Sequence, residues 1–382
     1  KNQKFTWAIA GRNQKKLEKL KTSFQDIDPH SNDLEILVVD SHDSTLLDNM
    51  TSACRLVIST VGPYLKFGKP LIESCVKNST HYCDLTGEVP FIRESIDLFN
   101  LKAKKNKCRI IHSCGFDSIP SDIGVLLLQM DSLKKFNETC DEMKLYVRSI
   151  RGSLSGGTIE SLINISKYIK SNPEAQDILK SPFALNPMDS LKNDTRQFSL
   201  KSVKWNNEIQ RWICPFLMSG INTRIVRRTN AITDYSYGYN FRYSEVHSFK
   251  KGLKGFSRAM IMLIGLGMIQ ISINNRPLLW ILKKFNLPKP GEGPSKEERE
   301  NGFFKMNIIG SINNIEKNSL SVIGDSDPGY SATAKMLTES ALSVLLEKEK
   351  IPKAFGVLTP ASGIGVTLVE RLKGKGINFI LN

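Results

Sequence analysis

The first third of the chain alternates between short apolar segments and segments with helical character, and this alternation restricts the fold more than any other feature. The apolar segments lie at 5–10, 34–40, 55–64 and 81–85, and a fifth begins at 108. Their hydrophobic side chains stand at consecutive positions rather than at every second one, as in strands whose sheet is covered on both faces. We therefore predict an α/β fold with a Rossmann-type parallel sheet and a second, α+β domain.

Small, polar or turn-forming residues follow each predicted strand. They are Gly11-Arg12, Asp40, Gly62-Pro63-Tyr64, 84–87 and 115–118. Ligands of such sheets bind outside the C-terminal ends of the strands, so these loops form one candidate binding rim. Within the rim, Gly87 is expected to let the chain turn and Glu88 to favour the start of a helix.

The residues around the first segment bear on the cofactor. A dinucleotide fold opens with a strand and a G-x-G-x-x-G turn, and no such turn precedes 5–10. We expect the sequence to begin at the second strand of that fold, either as part of a longer product or with impaired cofactor binding. An NAD site places an acid after this strand, whereas Arg12 is a cation suited to the 2′-phosphate of NADP. NADP is the predicted cofactor, with NAD as the alternative. The residues predicted to contact it are Gly11, Arg12, Asp40, Thr60, Gly62 and Pro63.

Charge and cysteine content narrow the class of partner. The 382 residues carry a formal net charge of +15, which favours nucleic acid, a membrane surface or a phosphorylated ligand as partner. Nucleic acid would explain the charge but not a parallel sheet, so we do not expect it. The seven cysteines are scattered, without a CxxC pair or a Cys/His cluster. This pattern indicates free thiols in a reducing compartment and no metal site.

Several long segments resemble a known family. STVGPYLKFGKPLIESCV, CGFDSIPSDIGVLLL, DPGYSATAKML and GVLTPASGIG are similar to segments of the saccharopine dehydrogenase-like oxidoreductases, which include the bacterial trans-acting enoyl reductases. The matching segments run from 10 to 377 in family order. The resemblance implies a Rossmann-type domain, a second α/β domain and a nicotinamide cofactor that reduces lipid-like substrates. It also implies, in animals, association with lipid droplets or membranes, and it does not imply saccharopine as substrate.

The alternation changes beyond the fifth segment, which indicates a second domain. We predict a dinucleotide-binding domain at 1–130, a substrate- or lipid-associated α+β domain at 131–330, and 331–382 packing back on the first. Within the second domain, 303–310 and 319–325 predict an antiparallel hairpin, and 171–215 a long surface excursion. Three arginines, at positions 224, 227 and 228, would either attract an acidic group or be solvated.

The most hydrophobic stretch covers 259–273, and a polar break at 274–277 separates it from a second apolar stretch at 278–285. The first stretch is shorter than the roughly 20 residues that a membrane-spanning helix needs, and lysines flank the pair. One hypothesis is a hairpin at 259–285 that lies in one leaflet or on a lipid droplet. The other is a buried helix pair that shapes an apolar substrate pocket. The lipid-surface hypothesis predicts an intracellular protein on a lipid droplet or membrane, with the mitochondrion as a further candidate location.

Catalysis would require a proton donor beside the nicotinamide. Hydride transfer places the nicotinamide against a carbonyl or an activated double bond, with the donor nearby. Tyr64, Asp117 and Ser118 are the predicted donors because their loops follow strands over which the nicotinamide would lie. The predicted function is an NADP-dependent oxidoreductase acting on a lipid-derived substrate in glycolipid or other lipid metabolism. The alternative is a catalytically silent lipid-droplet or membrane-surface protein that keeps the fold.

Overall fold

The structure is a computed structural model, and it describes residues 5–152, 156–190, 195–275, 277–280 and 293–382. Its strands, in chain order, are β1 (Ala8–Gly11), β2 (Glu35–Val38), β3 (Leu56–Ser59), β4 (His81–Asp84), β5 (Arg109–Ile111), β6 (Glu142–Arg151), β7 (Lys204–Asn206), β8 (Arg211–Pro215), β9 (Arg242–Phe249), β10 (Phe303–Ile312), β11 (Ile315–Gly324), β12 (Gly356–Leu358) and β13 (Ile377–Leu381).

The helices of the described residues follow the same order. They are α1 (Gln14–Gln25), α2 (Ser44–Ser52), α3 (Tyr64–Lys77), α4 (Val89–Lys105), α5 (Ile119–Phe136), α6 (Gly156–Ser171), α7 (Pro173–Lys180), α8 (Ser219–Ile232), α9 (Leu253–Asn274), α10 (Lys296–Glu300), α11 (Thr333–Leu346), α12 (Pro360–Gly363) and α13 (Thr367–Lys373).

The first part of the chain forms parallel strands, as predicted. Strands β1 and β2 pair with each other, and a four-stranded parallel sheet has the order β12-β5-β4-β3. Consecutive residues Ile110 and Ile111 of β5 are both fully buried, as expected where helices cover both faces. Helix α1 begins where the sequence supplies a cap, since Asn13 Oδ1 accepts a hydrogen bond from the N–H of Lys16 at 3.0 Å. The predicted α/β fold class is therefore confirmed.

A second sheet has seven strands in the order β13-β11-β10-β6-β9-β8-β7. Only the β6–β9 pair among these strands is parallel. The predicted hairpin is confirmed as β10 and β11, and Asn313 and Asn314 at its turn have φ values of 53° and 64°. Asparagine tolerates this left-handed conformation better than most residues, which explains why the turn forms there.

One shared core fixes the two larger sheets relative to each other. Ile123 of α5 and Met336 of α11 are fully buried and belong to the same cluster as Ile111 of the parallel sheet. Ile308 of β10 and Val322 of β11 join that cluster from the second sheet. Helices α5 and α11 therefore lie between the sheets, and the rim loops that precede α5 face the second sheet.

The end of the chain divides between the two sheets. Strand β12 pairs with β5 in the parallel sheet, whereas β13 pairs with β11 in the second sheet. The predicted domain limits at 130 and 330 stay a prediction. The long surface excursion predicted for 171–215 is wrong in part, because this region contains α7, β7 and β8, and because 183–185 are buried. These elements are too short to give a clear periodicity in the sequence.

Helix α9 is longer and more exposed than the sequence indicated. It has 22 residues because 253–258, which include Lys254 and Arg258 and precede the apolar stretch, are also helical. By length and composition, it is the one helix in the described part of the chain that could cross a membrane, and only 11% of its apolar window is buried. The buried helix pair is therefore wrong for α9 as regards burial, although Met262 and Leu266 of α9 do line a mostly apolar cavity. The second stretch, predicted at 278–285, lies outside the described residues from 281 onward.

The two faces of α9 have different surroundings although both are apolar. Ala259 on the inner face is fully buried against the body of the protein. On the outer face, Ile261, Ile264, Met268 and Ile271 leave 55% to 69% of their surface exposed. The helix therefore lies along the protein and presents an apolar stripe to the outside.

Candidate functional site

A cavity of about 240 Å³ lies where the rim of the parallel sheet, the second sheet and α9 meet. Leu85 and 115–117 line it from the rim, His247 of β9 from the second sheet, and Met262 and Leu266 from α9. Most of the lining is apolar. The volume is a little below the roughly 300 Å³ at the lower end of small-molecule sites. The cavity can hold part of an apolar ligand against a few polar groups.

Asp117 is the carboxyl group that faces this cavity. It lies in the loop between β5 and α5, it is half-buried, and none of the residues that the structure describes donates a hydrogen bond to it. Burial raises the pKa of Asp117 to about 6, because desolvation disfavours the charged form. A carboxyl group whose pKa lies close to neutral can give a proton to a bound molecule.

The other two predicted proton donors lie outside the cavity wall. Ser118 is fully buried, and its Oγ donates a hydrogen bond to Asn222 Oδ1 at 3.2 Å. Tyr64 is also buried, and its hydroxyl donates to the main-chain oxygen of Ser59 at 3.0 Å. Both hydroxyl groups are occupied inside the fold. Their catalytic roles stay predictions, while the geometry brings Asp117 alone of the three into the cavity.

The residues predicted to hold the cofactor lie on the rim at the ends of β1, β2 and β3. Arg12 follows β1 with an exposed guanidinium, and no described residue forms an ion pair with it. Asp40 follows β2, and its Oδ1 accepts from the N–H of His42 at 2.9 Å. The loop after β3 exposes Thr60 and Gly62. An exposed cation that forms no ion pair with the described residues fits the 2′-phosphate of NADP, and exposed loop backbone fits a phosphate as well. The remaining predicted contacts are Gly11, which ends β1, and Pro63, which precedes α3.

Glu88 has a larger role than the sequence suggested. It precedes α4, but its carboxylate caps a different helix, accepting hydrogen bonds from the N–H groups of Tyr64 at 3.0 Å and Leu65 at 2.9 Å. Ser161 of α6 donates to the same group at 2.6 Å. Burial raises the pKa of Glu88, and these three hydrogen bonds oppose that rise. A helix N-terminus favours an anion, so Glu88 fills that position of α3 from within the protein.

The three arginines of α8, at 224, 227 and 228, are neither solvated nor placed to attract an acidic substrate. Arg227 donates to the carbonyl of Pro182 at 3.1 Å, and Arg228 donates to the carbonyl of Val357 at 2.6 Å. Both are buried, and burial lowers the pKa of each to about 9. Both hypotheses for this cluster are therefore wrong, and its guanidinium groups hold loop carbonyls in place.

A Ser–His–Asp arrangement lies in the interior of the parallel sheet. His112 Nδ1 is 2.8 Å from Asp84 Oδ2, and His112 Nε2 is 2.9 Å from Ser95 Oγ. All three residues are fully buried, and none lines the cavity. A nucleophile must be reachable by its substrate, so this arrangement joins α4, β4 and β5 rather than catalysing hydrolysis.

The described residues contain no group of three His, Cys, Asp or Glu side chains that could hold a metal ion. All seven cysteines are free thiols. The arrangement that remains for chemistry is an apolar cavity beside Asp117, next to a rim that fits a phosphorylated cofactor.

Known proteins place this geometry in context. Residues 1–111 match the family described as "Saccharopine dehydrogenase NADP binding domain". A Mycobacterium tuberculosis protein provisionally named trans-acting enoyl reductase is 34% identical over 354 residues, which cover 90% of this chain and 84% of the relative. The trans-acting enoyl reductase of Mycobacterium ulcerans is 32% identical over 383 residues, covering 97% of this chain and 90% of the relative.

The fold also has a counterpart among solved structures. The apo saccharopine dehydrogenase (L-Glu forming) of Saccharomyces cerevisiae is similar with a TM-score of 0.53 and 12% identity, over 100% of this chain and 94% of the other. At this identity, the similarity shows the fold alone. The match to the NADP-binding domain confirms the cofactor that Arg12 predicted.

Proposed function

Because the chain belongs to the saccharopine dehydrogenase-like oxidoreductase family that includes the trans-acting enoyl reductases, we propose that it reduces an activated carbon–carbon double bond in a lipid-derived substrate. The observation that carries this proposal is the apolar cavity at the rim, with the carboxyl group of Asp117 in its wall. A substrate with an alkyl chain would place that chain against α9 and its reacting carbons near Asp117. The narrower assignment to glycolipid metabolism stays a prediction.

The proposed reaction has a simple balance. Reduction of a double bond conjugated to a carbonyl adds a hydride to the β-carbon and a proton to the α-carbon. When bound, NADPH supplies the hydride and is left as NADP⁺. The proton comes from Asp117, whose O–H bond breaks as the C–H bond forms, and water returns a proton to the carboxylate. With a pKa of about 6, roughly a tenth of the Asp117 carboxyl groups are protonated at pH 7.

The test is single-turnover reduction of a medium-chain trans-2-enoyl thioester, followed by the loss of NADPH absorbance. Asp117→Asn keeps the size of the side chain but removes the acidic proton, so the chemical step should slow by about a hundredfold or more. Asp131→Asn is the matched control, because Asp131 lies in α5, accepts from Asn318 Nδ2 at 3.0 Å and is absent from the cavity wall. A wild-type rate in Asp117→Asn would contradict the proposal.

Association with a membrane or lipid droplet is a second part of the proposal. The outer face of α9 supports it, because four large apolar side chains on that face stay mostly exposed. Lys250 and Lys251 precede the same helix, and Lys254 and Arg258 lie in its first two turns, where these cations would meet anionic lipid head groups. A helix that packs on the protein along one face and is apolar on the other suits a position in the plane of a lipid surface.

A catalytically silent lipid-surface protein is the second candidate. The exposed apolar stripe of α9 favours it, since that stripe could bind a lipid surface whether or not the protein catalyses a reaction. Titration with NADPH, followed by its fluorescence, separates the two candidates, because a reductase must bind NADPH. Saturable binding with vesicles present supports the reductase, and no binding supports the silent protein.

A further inference from the structure

His247 brings another polar group to the cavity, from β9 of the second sheet rather than from the rim loop that carries Asp117. It lies in β9, where Tyr243, Glu245 and His247 alternate along the face that points toward the parallel sheet. The first two end in the core, and the third lines the cavity. The ring of Phe216 meets the His247 ring edge-on, with centroids 4.9 Å apart, and so fixes its orientation.

The imidazole of His247 has unused hydrogen-bonding capacity. Within the part of the chain that the structure describes, neither ring nitrogen forms a hydrogen bond. His112 is fully buried, and by contrast both of its ring nitrogens are bonded. Both ring nitrogens of His247 keep some accessible surface, and His247 lines the cavity, so a ligand bound there can meet them.

The charge state of His247 limits what that ligand can be. Burial lowers the pKa of His247 to about 4, so the ring is neutral at physiological pH. A neutral imidazole has one N–H donor and no charge with which to attract a phosphate or a carboxylate. The surrounding wall of Phe216, Met262 and Leu266 is apolar. The matching ligand group is a neutral acceptor attached to an alkyl chain, such as the carbonyl of a thioester, ester or ketone.

We propose that His247 is a further catalytic residue, which donates a hydrogen bond to the carbonyl oxygen of the substrate. This inference rests on the proposed reduction of a conjugated double bond. Hydride addition at the β-carbon moves negative charge to the carbonyl oxygen, and a donor aimed at that oxygen stabilises the charge as it forms. The same hydrogen bond would hold the carbonyl beside β9, so that the α-carbon could meet Asp117, which lines the same cavity.

Two variants test this role. His247→Phe keeps a flat ring among the aromatic neighbours but has no donor, whereas His247→Gln keeps an N–H donor. Ser248→Ala is the matched control, since Ser248 follows in β9 but points to the other face, where its Oγ donates to the carbonyl of Val147 at 3.3 Å. We expect single-turnover reduction to slow by about a hundredfold in His247→Phe, with part of the rate restored in His247→Gln and NADPH affinity unchanged.

A binding measurement separates this inference from the proposed reaction. The probe is a saturated acyl thioester with an isotope-labelled carbonyl, which binds but cannot be reduced, and the readout is its infrared stretching frequency. A hydrogen bond from His247 lowers that frequency in the wild type, in His247→Gln and in Ser248→Ala, and His247→Phe should return it toward the value in apolar solvent. Equal frequencies in wild type and His247→Phe overturn the role of His247, even if reduction proceeds. Failure of the wild type to reduce enoyl thioesters, with the frequency shift intact, overturns the proposed reaction instead.

Discussion

Replacing Ile261 and Met268 of α9 with glutamate should detach the protein from lipid surfaces. Both side chains lie on the outer face, with 69% and 55% of their surface exposed. Glutamate is a good helix former, so the double variant should keep α9 intact. The sequence alone would select Leu263 and Leu266 for this purpose, but Leu266 lines the cavity and its replacement would alter the site as well.

The size of the effect follows from those exposed fractions. Full burial of a large aliphatic side chain contributes about 2 kcal/mol, so the exposed parts of the two contribute about 2.5 kcal/mol when α9 enters hydrocarbon. That is roughly a seventyfold change in the partition constant. The figure is a minimum, because two carboxylates also repel anionic head groups and must be dehydrated to enter the lipid.

The assay is flotation with vesicles of phosphatidylcholine and phosphatidylserine in equal amounts. The matched control is Leu98→Glu with Leu101→Glu on α4, where the wild-type leucines are 44% and 80% exposed. In the wild type, the exposed fractions of these two leucines add up to the same total as those of Ile261 and Met268. Because the leucines lie on α4 and not on α9, the control variant should float like the wild type. Circular dichroism establishes that both variants are folded. Equal flotation of the α9 variant and the wild type would refute the reasoning, as would equal loss in both double variants.

Three further outcomes follow from other parts of the structure. Arg12→Asp should reverse the preference for NADP(H) over NAD(H), and unchanged ratios of the two Kd values in fluorescence titrations would contradict the role of Arg12. Arg228→Met should lower the free energy of unfolding in urea by about 2–4 kcal/mol, because it leaves buried carbonyls such as that of Val357 without their donor. Glu245 has a pKa raised by burial from 4.5 to about 7, so the folded chain keeps a proton that the unfolded chain loses between these values. The free energy of unfolding should therefore fall by up to about 3 kcal/mol as pH rises through this window, and Glu245→Gln should remove that part of the fall.

The order of elements could be read from the sequence because it depends on local patterns. Consecutive apolar residues predicted the parallel strands, Asn13 predicted the start of α1, and the two asparagines at 313 and 314 predicted the turn of the hairpin. The same pattern predicted the rim loops, since the C-terminal ends of parallel strands lie at one edge of their sheet. That is why Asp117 and Arg12 could be named before the fold was known.

The contacts that build the site could not be predicted, since they join distant parts of the chain. Glu88 bonds to groups 24 and 73 residues away, and nothing near it in sequence marks those partners. His247 stands in a strand whose residues are buried on both faces, so the sequence gives no sign that its side chain meets a cavity. The arginines of α8 did carry a usable signal. Their i, i+3, i+4 spacing places them on one helix face, and that face is buried.

Helix α9 forms a wall of the cavity with Met262 and Leu266 and carries its exposed stripe one helix diameter away. If the stripe lies in a lipid surface, the cavity meets its substrate in two dimensions. The rate should then follow the mole fraction of substrate in the surface rather than its bulk concentration, and inert lipid added at constant substrate should slow turnover by surface dilution.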